Sequence, residues 1–557
     1  MAEMTILCIL RNVLKPLIDA GFTTQRLTRM PLCFFICFLV GLLVSSRSAT
    51  GQPDFHWVFL ADKDGVTFDP FDYFDPHAIG RRMKHNLPLF DHRDLPVRGD
   101  YLLQIRALCD SIDGSSRWFN AAIVLASEEQ VEAIRHLPFV TEVQPVVPLE
   151  VSAKLSLADS LMMLLQTERL QASVFRDSGY TGKGVRVAIF DVGFPDVDTH
   201  PAFKHIHERE GIVATRDFTH NNADVYGGAS HGTAVLSCIA GMRDSIPLGL
   251  ATDAEFLLAR TERLLTEWRA EEHRWVRAAE WADKHGADII SSSLGYTFHH
   301  YFRENMDGKT AIISRAANIA ASKGILVINS AGNEGTSRWQ TIGAPADADS
   351  VLAVGGTDPF TDASIGFSSI GPTADLRLKP NVCAFGQALT ASRKDYSVNS
   401  GTSFACPLVA GFAACAMQAR PDFKAMETFH AIEQSGHLYP YFDYAHGYGI
   451  PQAERFLGLW KETDTTFHFS LTDGELSIVI NDTLFIDSTF QEERYGRGKP
   501  RKNLYYRVLD EDGRLQKYGV ILVHSRTPLT LFEDVDYRRG QVVSIHYERF
   551  TDSITIE

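Results

Sequence analysis

A serine near the start of a predicted helix, Ser403, has a position that suggests a chemical role. The segment Gly401–Gly411 reads GTSFACPLVAG, so a glycine turn opens a helix that carries Ser403 in its first turn. Unpaired N–H groups and the helix dipole favour negative charge at that point. Ser403 could also be a simple capping residue, since serine is preferred at helix starts. The chemical interpretation therefore depends on companion residues.

A serine hydroxyl becomes an effective nucleophile only when a neutral imidazole accepts its proton. His231, in the segment SHGTAVLSCIAG, falls in the first turn of another predicted helix. Asp191 ends the apolar run VRVAIFD, which predicts a buried parallel strand. A carboxylate bound to the second ring nitrogen would orient the base and stabilise the imidazolium. These three residues predict a nucleophile, its general base and the group that orients the base.

The tetrahedral intermediate of such a reaction needs hydrogen-bond donors for its oxyanion. Asn333 follows the buried run VINS in the segment SAGNEG, where a glycine turn would project its amide. We expect this amide and the backbone N–H of Ser403 to be the donors. Taken singly, Asp191 could cap a turn, His231 could be a surface residue, and Asn333 could be a left-handed turn residue.

Residues 160–459 alternate apolar strand-like runs with helical stretches, which predicts an α/β domain with a parallel sheet and helices on both faces. Open α/β sheets place their active groups at the carboxyl ends of the strands, where Asp191 falls. The clearest predicted strands are Val185–Phe190, Ile289–Ser292, Ile325–Ser330 and Val351–Val354.

A smaller α+β domain is predicted for residues 52–150, with a strand His56–Leu60 and a basic helix near Arg81. Ser127 and Gln130 have the spacing of a capping box that starts a helix after the strand Phe119–Leu125.

Residues 463–557 lack helical periodicity, so we expect a β-rich C-terminal domain there. Its predicted strands are Glu475–Ile480, Leu504–Leu509, Val520–Val523 and Val542–Tyr547, with turns at Asn481-Asp482 and Asp512-Gly513.

Residues 1–51 are predicted to be a leader. Leu32–Val44 is an apolar run of 13 residues, preceded by Arg26 and Arg29 and followed by small residues up to Gly51. The run is short for a membrane span but typical of a signal-peptide core. We expect export to a secreted, periplasmic or cell-surface location and no stable span in the mature form. The alternatives are an uncleaved anchor helix and a true start at Met30.

The net charge and the cysteine spacing argue against proteins that bind nucleic acid, anionic lipid or structural zinc. Lys and Arg total 54 against 69 Asp and Glu, a net charge of -15 that disfavours nucleic acid and anionic lipid as partners. Three of the eight cysteines lie in the leader, and the other five show no zinc-like spacing, so buried free thiols are expected.

The four motifs, in the order Asp, His, Asn, Ser, resemble those of the bacterial secreted subtilisin-like serine peptidases over about Gly179–Leu457. This resemblance implies a subtilisin-like fold, polypeptide substrates and peptide-bond hydrolysis through an acyl-enzyme on Ser403. The chain departs from the usual family pattern at Val192, Phe404 and Cys406, and none of these changes removes a reacting group.

The resemblance also implies substrate-binding backbone, which would pair with an extended peptide. The residues concerned are Ser293, Leu294 and Gly295 together with Ser330, Ala331 and Gly332. Residues 52–150 resemble the inhibitory propeptides of this family, which makes the chain's own propeptide a partner, cut between about Val151 and Ser160. The chemistry requires no cofactor, and a structural calcium stays open because residues 242–254 lack spaced oxygen ligands.

The two alternative functions are an inactive scaffold protein and a lipase or esterase. A catalytically inactive scaffold could keep the fold and use the C-terminal domain for recognition, although all four reacting groups are present. A lipase or esterase would show a GxSxG nucleophile elbow and the order Ser, Asp, His, which this chain does not have.

Overall fold

The computed structural model describes residues 54–145, 159–262, 270–297, 301–393, 395–461, 465–472, 474–481, 502–523 and 529–557. These residues belong to one unit of mutual contacts that spans 54–557. The predicted leader lies outside the described residues, as does most of the predicted cleavage stretch.

The N-terminal part is an antiparallel sheet with four helices packed around it. Its strands are β1 (Asp54–Leu60), β2 (Ser111–Ser116), β3 (Ala121–Ala126) and β4 (Val140–Pro145). Its helices are α1 (Pro70–Tyr73), α2 (Pro76–Lys84), α3 (Gly99–Arg106) and α4 (Glu128–Arg135). The strand order is β2-β3-β1-β4. The predicted capping box is confirmed, since Ser127 Oγ accepts the Gln130 N–H at 3.4 Å and Gln130 Oε1 accepts the Ser127 N–H at 2.8 Å.

The central part is a seven-stranded sheet in which every pair of neighbours is parallel. Its strands are β5 (Arg186–Asp191), β6 (Ile212–Asp217), β9 (Glu255–Arg260), β10 (Ile289–Ser292), β11 (Leu326–Ser330), β12 (Val351–Thr357) and β13 (Val382–Phe385). They lie in the order β13-β12-β11-β10-β5-β9-β6. Two hairpins accompany the sheet, formed by β7 (Met242–Arg243) with β8 (Ile246–Pro247) and by β14 (Gln387–Ser392) with β15 (Asp395–Ser400).

Helices cover both faces of this sheet, as the alternation of runs predicts. They are α5 (Asp159–Glu168), α6 (Ala172–Asp177), α7 (Lys204–Glu208), α8 (His231–Ala240), α9 (Ala270–Lys284), α10 (Ile312–Ser322), α11 (Thr402–Ala419), α12 (Ala425–Ser435) and α13 (Ala453–Phe456). Successive side chains of β5 point to opposite faces. Val187 and Ile189 pack in the core that α8 and α11 share, whereas Ala188 and Phe190 pack with α9 and α10.

The helix α11 is the one helix among the described residues that is long and apolar enough to cross a membrane by those two criteria. It is 83% buried inside the protein, where it packs against β10, β11, β12 and β13. Its apolar composition therefore reflects its place in the core.

The C-terminal part consists of two antiparallel sheets around a shared apolar core. Its strands are β16 (Phe467–Thr472), β17 (Glu475–Ile480), β18 (Asn503–Leu509), β19 (Leu515–Leu522), β20 (Leu529–Phe532), β21 (Val542–Tyr547) and β22 (Phe550–Thr555). The predicted strand at Val520 starts five residues earlier, at Leu515. The turn at Asp512-Gly513 joins β18 to β19, with Gly513 at φ 77°. The other predicted turn includes Asp482, which is outside the described residues.

Candidate active site

Asp191 and His231 lie together at the carboxyl edge of the central sheet. Asp191 is the last residue of β5 and is fully buried, and the Val192 N–H donates to its Oδ1 at 2.8 Å. His231 is the first residue of α8, and its Nδ1 lies 2.9 Å from both carboxylate oxygens of Asp191. A Cβ at Gly232 would lie 2.9 Å from the Asp191 Cβ and 2.4 Å from the Gly193 carbonyl oxygen. Glycine at 232 therefore permits the close approach of α8 to β5.

The environment of His231 stabilises its protonated form. The side chain is 33% exposed. Burial lowers the pKa of His231, but the charge of Asp191, its hydrogen bond and the charge of Glu262 outweigh that effect, so the pKa is raised. The ring therefore accepts a proton more readily than a free histidine does.

Ser403 is positioned by a hairpin that feeds directly into α11. Gly401, between β15 and α11, has φ 148°, a conformation that favours glycine. The Ser403 hydroxyl donates to the carbonyl oxygen of Ser293 at 3.4 Å, and the Ser293 hydroxyl donates to the Ser403 carbonyl oxygen at 2.8 Å. This reciprocal contact fixes the start of α11 to the end of β10.

The structure brings the imidazole of His231 beside the start of α11 without bonding it to the serine hydroxyl. The ring centroids of His231 and Phe404 are 5.6 Å apart. Within the described ranges, Ser403 Oγ has Ser293 as its hydrogen-bond acceptor and no bond to His231. Phe404, the larger residue at a position that departs from the family pattern, thus packs against the predicted general base.

Asn333 is held in a defined orientation next to Ser403. Its Oδ1 accepts hydrogen bonds from the Thr402 N–H at 2.9 Å and from Thr402 Oγ at 3.0 Å. A backbone N–H can only donate, so the amide oxygen of Asn333 must face Thr402 and the amide nitrogen must face away. A Cβ at Gly401 would lie 3.6 Å from that nitrogen. The two N–H groups of Asn333 therefore lie beside the Gly401 turn that precedes α11 and are not used by Thr402.

The two predicted substrate-binding segments follow adjacent strands, β10 and β11. Gly295 is exposed, and its N–H and carbonyl groups have no hydrogen-bond partner in the part of the chain that the structure describes. In the second segment, the Ala331 N–H donates to Val354 at 2.9 Å, and the Gly332 N–H donates to Thr402 Oγ at 3.3 Å. The backbone around Gly295 is thus the more available of the two segments.

The buried neighbours of these segments hold the two strand ends together. The Asn329 amide nitrogen donates to the Leu294 carbonyl oxygen at 2.8 Å and to that of Ser330 at 2.8 Å. Leu294, Ser330 and Ala331 are buried at 6%, 4% and 0% exposure. Their side chains therefore support the edge of the sheet, and Gly295 forms its exposed part.

Glu262 is a residue of this site that the sequence motifs do not reveal. It lies two residues beyond β9, the strand that pairs with β5 so that Asp191 faces Arg260. Burial and the charge of Asp191 raise the pKa of Glu262 to about 7. The available signal was the apolar run FLLA at residues 256–259, which the sequence analysis did not assign to a strand, and the strand order is also needed to set Glu262 beside Asp191.

The cysteines of the described residues are free thiols. Cys238, Cys383, Cys406 and Cys415 are buried free thiols as expected, and Cys109 is partly exposed. Cys406 Sγ donates to the Ser292 carbonyl oxygen at 3.5 Å, beneath the nucleophile's helix. The described residues contain no group of three or more His, Cys, Asp or Glu side chains that could hold a metal ion.

Two family models match the chain. The model of the subtilase family matches residues 182–449, and that of the Bacteroidota propeptide domain of the S8 peptidases matches residues 55–159. The first match contains all four predicted reacting residues. The second match contains the N-terminal sheet.

Two subtilisins are also similar to this chain in sequence. Subtilisin BL from Lederbergia lenta is 31% identical over 260 residues, which cover 46% of this chain and 86% of that protein. Subtilisin NAT from Bacillus subtilis subsp. natto is 31% identical over 270 residues, and the match spans 48% of this chain but 64% of that relative.

A crystal structure of the epidermin leader peptide processing serine protease (EpiP) from Staphylococcus aureus matches with a TM-score of 0.52 and 14% identity, covering 74% of this chain and 100% of that chain. At this identity the likeness supports the fold alone. From the family models and the curated relatives, the chain belongs to the subtilase family of serine endopeptidases and carries an S8 propeptide domain.

Proposed function

We propose that this chain is an exported endopeptidase that hydrolyses peptide bonds through an acyl-enzyme on Ser403. The observation that carries the proposal is the contact of His231 Nδ1 with both oxygens of the buried Asp191, at 2.9 Å, beside the helix that carries Ser403. A buried carboxylate accepts a hydrogen bond from Nδ1–H, so the neutral ring keeps its lone pair on Nε2. That nitrogen is the proton acceptor that the serine needs.

The reaction begins when the Ser403 hydroxyl turns from Ser293 toward His231. Nε2 takes the hydroxyl proton while Oγ attacks the carbonyl carbon of the scissile bond. Collapse of the intermediate breaks the C–N bond, and His231 gives its proton to the leaving amine. Water then repeats the sequence on the ester and releases the acid. A long or misdirected hydroxyl contact in the substrate-free state is compatible with this role.

The oxyanion is stabilised by Asn333 and by the start of α11. The contact of Thr402 with the Asn333 oxygen leaves the amide nitrogen free to donate. The Ser403 N–H lies in the first helical turn, where N–H groups have no intrahelical acceptor. Both donors are preorganised, which is the main requirement for stabilising charge that develops in the transition state.

The N-terminal part acts as the chain's own propeptide and covers α9. Glu280 of α9 accepts hydrogen bonds from the Ser116 hydroxyl and from the N–H groups of Arg117 and Trp118. Our proposed domains are residues 52–150, 160–459 and 463–557, after a leader of 51 residues, with propeptide cleavage between about Val151 and Ser160. Export to a secreted, periplasmic or cell-surface location fits this organisation.

The test is to express the chain from Gln52 onward and to compare the wild type with Ser403→Ala. We expect the wild type to process itself and to cleave fluorogenic peptides, and the variant to do neither. Equal processing and peptidase activity in both proteins would contradict the assignment. A wild type that neither processes itself nor hydrolyses peptides would favour the inactive scaffold instead.

A further inference from the structure

Glu262 lies near both the predicted general base, His231, and the predicted substrate-binding backbone at Gly295. The Thr261 N–H donates to the Asp191 carbonyl oxygen at 2.9 Å, so the chain beyond β9 is fixed to the end of β5. Glu262 follows immediately and is partly exposed, although Asp191 and Thr261 are fully buried. Glu262 is thus held next to the dyad at a partly exposed position.

A tyrosine from the other side of the site holds this carboxylate. The Tyr296 hydroxyl donates to Glu262 Oε1 at 3.1 Å, and Tyr296 itself is 3% exposed. Tyr296 directly follows Gly295, whose exposed backbone groups have no hydrogen-bond partner among the residues that the structure describes. A peptide that lies along Gly295 therefore passes close to the carboxylate of Glu262.

Among the residues that the structure describes, the groups that act on Glu262 carry charges of both signs. The groups that act on it are Asp191, His231, Tyr296 and Arg274 of α9. Arg274 is the permanent cation among them and stands against two carboxylates, Asp191 and Glu262. Two more acids, Glu271 and Glu272, act on Tyr296 from the same helix as Arg274. The complement of the Glu262 carboxylate itself is a positively charged side chain.

We propose that Glu262 is a specificity-determining residue that selects a lysine or arginine side chain beside the scissile bond of the peptide. This inference rests on the proposed peptidase function. An ammonium or guanidinium group gains an ion pair with Glu262, and an acidic substrate side chain is repelled by both carboxylates. A neutral apolar side chain has no charged contact to gain there.

The preference for a basic side chain should depend on pH, because it requires the charged form of the Glu262 carboxylate. Burial and the charge of Asp191 raise the pKa of Glu262 to about 7, so its carboxylate becomes protonated as the pH falls through that value. The preference for a basic side chain is then lost at acidic pH and present above about pH 8. Protonation of His231 also lowers activity at acidic pH, so the preference is measured as a ratio between two substrates at each pH.

The experiment uses a positional library of fluorogenic peptides with wild type, Glu262→Gln and Glu262→Lys. We expect one position near the scissile bond at which wild type prefers Lys or Arg over Leu by about two- to fivefold in kcat/KM, the size of a partly exposed ion pair. The ratio falls to about one in Glu262→Gln and turns toward acidic side chains in Glu262→Lys. Glu210→Gln, an exposed acid that precedes β6 at the opposite edge of the sheet, should keep the wild-type ratio.

A measurement on the wild type alone supports or rejects the inference even if the variants do not fold. An ion pair at a partly exposed site weakens with salt, so the Lys-to-Leu ratio should drop between low and high ionic strength. A wild type without a basic preference, or a preference that persists in Glu262→Gln, would overturn the inference and leave the peptidase function standing. Loss of all wild-type peptidase activity would instead remove the function on which the inference rests.

Discussion

His231 Nδ1 lies 2.9 Å from both oxygens of Asp191, whereas the Ser403 hydroxyl donates to Ser293 and not to His231. The aspartate–histidine half of the relay is therefore formed before substrate is present. In the proposed mechanism the serine half forms when the Ser403 side chain rotates about its Cα–Cβ bond toward His231.

Replacing Asp191 by Asn should reduce kcat by about four orders of magnitude, the size of effect that this change has in serine peptidases with such a relay. The amide can donate to Nδ1, which favours the wrong imidazole tautomer and leaves Nε2 protonated. The measurement is kcat on a fluorogenic peptide. Asp198→Asn, an exposed aspartate in the loop after β5, should retain wild-type kcat. Similar rates for the two variants would contradict the role of Asp191.

Activity should fall as the pH is lowered through the pKa of His231, because the protonated ring cannot accept the serine proton. Asp191 and Glu262 raise that pKa, so the midpoint of the acidic limb of kcat/KM should lie above the ordinary value of 6.5. Glu262→Gln removes one of these charges and should move the midpoint to lower pH. A midpoint at or below 6.5 in the wild type would show that the electrostatics of the dyad are described wrongly.

Asn333→Ala should lower kcat by about 100- to 1000-fold, a range measured for the oxyanion asparagine of subtilisin, with little change in KM. The donor matters mostly in the transition state, so substrate binding is largely spared. Thr402→Val is the matched control, because it removes the hydroxyl contacts to Asn333 Oδ1 and to the Gly332 N–H but keeps the bond from the Thr402 N–H to Asn333 Oδ1. A loss in the control as large as that in Asn333→Ala would point to a structural role.

Asp283→Asn should destabilise the contact between the N-terminal part and the peptidase part. Arg81 and Arg82 both donate to the Asp283 carboxylate, and all three side chains are at most 2% exposed. Loss of the charge leaves two buried guanidinium groups undercompensated, at a cost of about 3 kcal/mol. Urea unfolding in a Ser403→Ala background measures this without self-digestion.

The control for that change is Asp422→Asn, which breaks an ion pair with Arg420 on the exposed surface. We expect its urea midpoint to equal that of the parent protein. A parental midpoint for Asp283→Asn as well would mean that the buried cluster contributes nothing to the interface.

The sequence predicts the parts of this structure that depend on local patterns. The apolar run that ends in Asp191 forms β5, the apolar and polar periodicities place helices on both faces of the sheet, and the Ser127–Gln130 capping box starts α4. The motifs around His231, Asn333 and Ser403 fall on the expected elements because helix starts and strand ends have strong local signals.

Contacts between residues far apart in the sequence could not be predicted from local patterns. Glu262 reaches Asp191 only because β9 lies beside β5, and strand order is not encoded in the periodicity of either strand. Arg81 looks like a solvated residue of a basic helix, since charged side chains are seldom buried. Its carboxylate partner, Asp283, is 202 positions away in the chain and becomes visible only in three dimensions.

The central claim is that Asp191 and His231 activate one serine, and labelling with a fluorophosphonate probe tests it most directly. The account predicts a single covalent adduct that peptide mapping places on Ser403. The adduct should be absent in Ser403→Ala and strongly reduced in His231→Ala. An unlabelled wild type that is folded and free of its propeptide, or an adduct on another residue, would contradict the account.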